Sequence, residues 1–412
     1  MVYIVYHSAD FDGYFSALIT ATEVSRRNKD AEIVFVPYNY EKELKLNATE
    51  SFDPEKLTID DSVFFVDVFY RNKEWYEKAT NNLKKIPCVI DHHETTYEFF
   101  KNELNFEDSD KFEKPVIYEN EDLKKTFVLS SSWKDGDKTM LFSAAAMCWY
   151  YFNAPENILK TLIDEKGFVD KTIFYIPKFI ELVARYDVWD KTNNSFWCAF
   201  ILPFQFGLRS DSRINTKDIV KSTFTKFFYL FRKKIGDIAL NNEKGECPNL
   251  IEYRKAEGEF LGNYNKTVLS GKAIIAYIAE RNKKLVTFGS PCKLRIEGKE
   301  NEEDKVVEIE NCYFASDHLN NSMLFEHGLK NYERYAYLIN ASPKLYPNSV
   351  TEKGVVSNIQ IINANPDSNS APLAQLLGGG GHKAIAGCTA YVKVTEEKEG
   401  EEFKKVLTLS YL

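Results

Sequence analysis

His7, Asp10 and Asp12 fall within the short stretch His7-Ser8-Ala9-Asp10-Phe11-Asp12-Gly13, in a chain that has six histidines in all. Imidazole mixed with carboxylate is a donor set for a divalent transition cation. Capping a helix would need one of the aspartates and no histidine. Three later stretches repeat the theme. The apolar run from Ser62 to Val68 is broken by Asp67, and Pro87-Cys88-Val89-Ile90 closes on Asp91-His92-His93. The stretch from Ala184 to Asp190 offers Asp187 and Asp190, either of which could complete a metal site. Far downstream, Gly378, Gly379, Gly380 and Gly381 are followed by His382 and Lys383. A glycine run is a poor helix interior and a poor strand, because each glycine gives up conformational entropy and packs nothing. Bare amides can instead approach an anion closely, as phosphate-binding turns do. Cation ligands and an anion-holding turn in one chain point to a phosphorylated substrate.

These residues need elements to position them. Residues 1–6 read as a buried strand and 14–26 as an amphipathic helix, with Gly13 turning between them. That order puts the His7–Asp12 loop at the carboxyl edge of a parallel sheet, where α/β proteins keep their sites. Further strands are expected over 32–36, 62–68 and 87–90, and helices over 140–152 and 172–190. Segment 215–262 reads as mostly helical. Strands are then expected at 273–278, 284–288, 292–296, 306–314, 335–339 and 355–362. Helices are expected at 322–330 and 372–377. The fold class is therefore α/β. Residues 1–205 would form a parallel sheet with helices on both faces, 206–264 a helical connector, and 265–412 a smaller mixed α/β domain. The active site is expected in the cleft between the two.

Composition narrows the function. With 412 residues, 44% hydrophobic and 14% aromatic, the chain is globular and long enough for two or three cores. It has no apolar run of membrane-spanning length, and Met1 to Tyr6 lacks a basic leader region and cleavage site. Seven scattered cysteines, with no CxxC, suit a reducing cytoplasm and argue against a thiolate zinc site. A net charge of −8, with acidic runs at Glu302-Glu303-Asp304 and Glu396 to Glu402, disfavours a grip on long duplex DNA. The basic segment from Arg209 to Lys234 reads as a solvated helix face.

The His7–Gly13 stretch, Asp67 at a strand end, Asp91-His92-His93 and the Gly378–Gly387 segment, in that order, resemble the DHH phosphoesterase superfamily. The glycine segment resembles its DHH-associated C-terminal domain. The general arrangement is most similar to the oligoribonuclease (nanoRNase) branch rather than to the longer RecJ-type exonucleases. The resemblance implies two divalent ions, most readily Mn²⁺, with Mg²⁺ or Co²⁺ as alternatives. His7, Asp10 and Asp67 would hold one, and Asp12, Asp67, His92 and Asp187 the other. Such pairs lie ~3.5–4 Å apart and activate water for in-line attack on phosphate. His93 would bind the phosphate or protonate the leaving oxygen, and Asp91 would fix a neighbouring imidazole. Gly379, Gly380, Gly381, His382 and Lys383 would hold the terminal phosphate or nucleotide. Family members commonly carry an arginine in the strand before the glycines, where this chain has none over 355–362. Asn358, Gln360 or Lys383 would take that role. The expected partners are short RNA oligonucleotides or small nucleotides, with a homodimer possible. The expected reaction is hydrolysis of short oligoribonucleotides to mononucleotides. Alternatives are a cyclic or linear dinucleotide, 3′-phosphoadenosine 5′-phosphate, a RecJ-like attack on single-stranded DNA, or a nucleotide-binding regulatory module with a silent site.

Overall fold

The computed structural model describes residues 1–47, 49–84, 87–103, 116–118, 126–128, 132–135, 138–141, 143–153, 176–236, 255–259, 264–298, 306–317, 324–325, 329, 331–344, 349–365, 368–381, 383 and 385–412. The chain divides into two compact units, Met1–Lys272 and Ala273–Leu412.

The first unit is built on four parallel strands, β1 (Val2–His7), β2 (Ile33–Tyr38), β3 (Ser62–Val66) and β4 (Cys88–Ile90). They lie in the order β2-β1-β3-β4. From β1 the chain steps out to β2 and then crosses back over β1 to reach β3. The direction of winding reverses between β1 and β3, and open α/β sheets bind ligands at the carboxyl ends flanking such a reversal. Alternation along the strands sends side chains to two faces. Tyr3, Val5, Val63 and Phe65 share one face and pack with Trp75, Tyr76, Ala79 and Phe100. The opposite face carries Phe64, whose ring lies 6.1 Å from that of Phe152.

Helix α1 (Phe11–Arg27) follows β1 directly and is buried from Phe11 to Glu23. Trp75 and its neighbours lie on α2 (Lys73–Asn82) and Phe100 on α3 (Glu94–Glu103), whereas Phe152 lies on α4 (Ala144–Asn153). Helices therefore cover both faces of this sheet. Beyond them come α5 (Lys178–Asp187), α6 (Leu202–Arg209) and α7 (Phe224–Gly236). Phe15 of α1 sits 5.6, 5.9 and 6.2 Å from the rings of Phe179, Phe224 and Phe228, so α5 and α7 close over α1. The helix expected from Met140 begins only at Ala144. Met140 and Leu141 belong instead to a strand, β8 (Lys138–Leu141), paired antiparallel with β7 (Ser132–Asp135), just as β5 (Val116–Tyr118) pairs with β6 (Thr126–Val128).

A larger correction concerns 273–278 and 284–288, expected as two strands. Residues 273–287 continue α8 (Tyr264–Thr287), one 24-residue helix. Its buried positions, Val268, Gly271, Asn282 and Val286, recur at multiples of three and four, the stripe of a helix covered on one side. The β-branched pair Ile274-Ile275 favours strands locally, and packing overrides it.

The second unit is a mixed sheet whose order is β12-β13-β11-β10-β9-β16-β15-β14. Its strands are β9 (Ser290–Glu297), β10 (Val306–Ser316), β11 (Tyr337–Pro343), β12 (Val350–Thr351), β13 (Gly354–Asn363), β14 (Gly380–Gly381), β15 (Ile385–Glu399) and β16 (Glu402–Ser410). Because β13 also pairs with β15, the strands from β13 round to β15 close into a ring. Leu294, Ile296, Ile339, Ile359, Ile361, Leu407 and Leu409 fill it, joined by Leu373 and Ala374 from α9 (Ala371–Leu376). Gly380 and Gly381 pair with Gly387 and Ala386, so half of the glycine run is a strand, contrary to expectation. The helix expected over 322–330 falls largely outside the described residues.

Candidate metal centre

His7 is the last residue of β1, and Asp10 is the N-cap of α1, accepting from the Gly13 amide at 3.0 Å. The other Asp10 oxygen lies 3.0 Å from His7 Nδ1. This hairpin-tight return needs a glycine: a Cβ on Gly13 would stand 2.1 Å from the His7 carbonyl oxygen. Asp67 follows β3 in the left-handed region at φ 59°, which aspartate tolerates better than most residues. Its amide donates to the Ile90 carbonyl at 2.9 Å, tying the ends of β3 and β4 together.

From there the Asp67 carboxylate reaches two imidazoles, His7 Nδ1 at 3.6 Å and His92 Nε2 at 3.1 Å. His92 Nε2 also lies 3.2 Å from Asp187 Oδ2, at the end of α5. Asp12, buried in the first turn of α1, accepts from the Ala144 and Ala145 amides at 2.8 and 3.1 Å, anchoring the start of α4. Three sets therefore offer ligand atoms within 4.8 Å of one another: His7, Asp10 and Asp67; Asp12, His92 and Asp187; and Asp67, Asp91, His92 and His93. Asp67 and His92 each belong to two sets. Asp190 points elsewhere, held by Arg185 and by the Thr192 amide at 3.2 Å.

Asp91 plays a different part. One of its oxygens accepts from the His92 amide at 2.8 Å and lies 2.7 Å from His93 Nδ1, while the other accepts from the Thr96 hydroxyl. The pair fixes the His93 ring and directs its Nε2 edge away from Asp91.

The electrostatics follow from burial and crowding. Burial alone would lower the His7 pKa, but the nearby carboxylates of Asp10 and then Asp67 outweigh it and raise it to about 12. Burial would raise Asp67, yet the neighbouring imidazoles of His7 and His92 bring it well below the usual carboxylate range. Asp12 and Asp187 go the other way: burial first, then neighbouring carboxylates, push both up. His93 is raised despite its burial by Asp91.

Both oxygens of Asp67, Oδ2 of Asp187 and Nδ1 of His7 are buried without a hydrogen bond of acceptable geometry. Buried carboxylate oxygens left so are costly unless they face a cation. The donor set, all imidazole and carboxylate, fits divalent metal ions.

In the second unit, three of the four glycines have conformational reasons of their own. Gly378 and Gly381 have φ of 75° and 141°, and a Cβ on Gly379 would lie 2.1 Å from the Gly387 carbonyl. Gly380 has nothing within 4 Å of that position and faces open space. Beside it runs a polar row across the sheet, Asn340 opposite Gln360, Gln360 opposite Gly387, and Gly387 opposite Gly380. The next row places Ser342, Asn358 and Thr389 together. Lys344, which sequence reasoning passed over, extends its ammonium to the Thr389 hydroxyl at 3.5 Å, and Thr389 in turn bonds Asn358 at 3.2 Å. Nothing in a single lysine beyond a strand signals this. Among the described residues Lys344 has no carboxylate within ion-pair reach. Lys383 is exposed, and His382 lies outside the described residues.

No family profile and no curated protein matches the sequence. Among solved structures the chain is similar to a pGpG-specific phosphodiesterase, PggH, from Vibrio cholerae, at 11% identity and TM-score 0.31, covering 94% of this chain and 93% of that one. It is similar to RecJ in complex with Mn²⁺ from Thermus thermophilus, at 14% identity and TM-score 0.36, covering 94% of this chain and 49% of that one. A third is an exopolyphosphatase-related protein from Bacteroides fragilis, at 10% identity and TM-score 0.35, covering 94% and 86%. At such scores these likenesses fix no detail. Fold and site together define an α/β protein with a buried histidine–aspartate cluster at the carboxyl ends of parallel strands. Within that class, the order of the motifs along the chain, and the convergence of those in the first unit, resemble a DHH superfamily phosphoesterase.

Proposed function

We propose that the chain is a divalent-metal-dependent phosphodiesterase acting on short oligoribonucleotides, linear dinucleotides included. The carrying observation is the buried Asp67 carboxylate, shared between ligand sets and left without hydrogen bonds of acceptable geometry. His7, Asp10 and Asp67 would hold one ion, and Asp12, Asp67, His92 and Asp187 a second. Bound there, the ions would neutralise the phosphate and lower the pKa of an attacking water. The protein's own residues do the rest. Asp91 and Thr96 hold His93 so that its Nε2 can give a proton to the leaving oxygen. Asp12 secures α4, which keeps the carboxylates in register with β1. In the second unit, Lys344, Asn358, Gln360 and the uncrowded backbone at Gly380 form a face able to hold a terminal phosphate. An anion there would meet one unpaired ammonium and few competing charges.

Purified protein incubated with Mn²⁺, Mg²⁺ or Co²⁺ is expected to convert labelled RNAs, from dinucleotide to pentanucleotide, into mononucleotides, and to stop on chelation. Cyclic dinucleotides and 3′-phosphoadenosine 5′-phosphate belong in the same panel. Inorganic phosphate as the sole product would replace this reading with a phosphatase. Silence with every ion and substrate would leave a nucleotide-binding module.

A further inference from the structure

We propose that a cleft beside the metal centre is a nucleobase subsite, in which Tyr40 and Arg71 hold the nucleoside adjoining the scissile phosphate. This rests on the phosphodiesterase reading. The cleft measures about 530 Å³ and is lined by Tyr38, Tyr40, Tyr70, Arg71, Asn72 and Phe99, among others. That volume suits a nucleoside, since small-molecule clefts run ~300–1,000 Å³.

Tyr40 is the wall shared with the metal centre. Its ring lies edge-on to His7 at 5.4 Å and to His93 at 6.1 Å, and Asn39 next to it approaches His7 Nε2 at 3.1 Å. An aromatic residue rarely adopts a left-handed backbone, yet Tyr40 holds φ at 55°. Were its role only to pack the imidazoles, burial would be expected, but 40% of the residue remains exposed. Arg71 places its guanidinium 5.7 Å from the Tyr40 ring centre. Among the described residues it makes no hydrogen bond or ion pair. A part-exposed ring and a planar cation set over it, with the cation's N–H groups unspent, are the parts that stack a base. Glu41, Glu98 and Glu103 also line the cleft and outnumber its cations, Lys42 and Arg71. Carboxylates repel phosphate and accept from base N–H groups, so the cleft takes the base and leaves the phosphate to the metal centre.

The test compares the full-length protein with Tyr40→Ala, Tyr40→Phe and Arg71→Ala on a dinucleotide and on bis(p-nitrophenyl) phosphate, a diester without a base. The ratio of kcat/KM between the two substrates is expected to fall about tenfold or more in Tyr40→Ala and Arg71→Ala, chiefly through KM, and to survive in Tyr40→Phe. Equal losses on both substrates, or an unchanged ratio, would overturn the subsite. If the wild-type protein hydrolyses neither substrate, the phosphodiesterase reading fails separately. Quenching of a 2-aminopurine dinucleotide then decides the subsite. Stronger quenching by wild type than by Tyr40→Ala supports it, and identical quenching sinks it.

Discussion

At the scale of single residues, Asp67 concentrates the charge of the site. Its carboxylate lies 3.6 Å from His7 Nδ1 and 3.1 Å from His92 Nε2, and those imidazoles hold its pKa below the usual range, so Asp67→Asn is expected to destabilise the metal-free protein at neutral pH. A cation present at 100 times its dissociation constant should stabilise wild type by about 2.7 kcal/mol. That gain should vanish in Asp67→Asn, together with hydrolysis. Thermal unfolding with and without Mn²⁺ reads the first, and a turnover assay the second. Retained activity would remove Asp67 from the centre.

Protonation gives a second prediction. Without metal, His7 is raised to about 12 and keeps its proton at neutral pH. Asp12 and Asp187 are raised as well, which favours protons there too. A cation must displace these protons, so its affinity should rise with pH and weaken as pH falls. Roughly one or more protons should be released per cation near neutrality. Calorimetry in buffers of different ionisation enthalpy counts them, and a release of zero contradicts the charge state assigned to His7.

At the scale of elements, the turn from β1 into α1 sets the position of three candidate ligands. Gly13→Ala would put a Cβ 2.1 Å from the His7 carbonyl, forcing α1 away from the strand. A loss of about 1–3 kcal/mol is expected, with weaker metal-induced stabilisation, because His7, Asp10 and Asp12 all move. An unperturbed melting curve would mean the turn relaxes freely. The glycine strand allows a contrast between neighbours. Gly379→Ala collides with the Gly387 carbonyl at 2.1 Å and should destabilise the protein, whereas Gly380→Ala meets nothing within 4 Å. If the Gly380 amide contacts substrate, Gly380→Ala should raise KM severalfold with unchanged melting. Kinetics and melting on the two variants together separate structural from ligand-facing glycines.

At the scale of the whole molecule, each unit has its own hydrophobic core, and the ligand cluster belongs to the first. Leu294 is buried in the ring of the second unit. Leu294→Ala is expected to cost about 2–5 kcal/mol. The affinity for Mn²⁺ should stay within about twofold of wild type, since Leu294 packs in a core that shares no residue with the ligand cluster. Titration of the variant checks this, and a large loss of metal affinity would show that the cores are coupled.

Much of the candidate site was legible because its residues sit at the ends of short apolar runs. His7, Asp67 and Asp91-His92-His93 each close such a run, and a parallel sheet brings the ends of its strands to one edge. Local pattern failed where packing outranks propensity. Ile274-Ile275 looked like a strand and became part of a 24-residue helix, and Gly380-Gly381 looked unfit for a strand and became one by pairing with β15.

The sequence by itself determined the candidate ligand types, their order along the chain and the short apolar runs that become four parallel strands, because these depend on local composition and donor chemistry. Only the tertiary structure decided that Asp187 faces His92 while Asp190 is held by Arg185 and Thr192. It alone gathered Lys344 with Thr389, and Tyr40 with His7 and Arg71. Those pairings join residues that no local period relates, and they exist only once strand register and backbone twist have fixed where each side chain points.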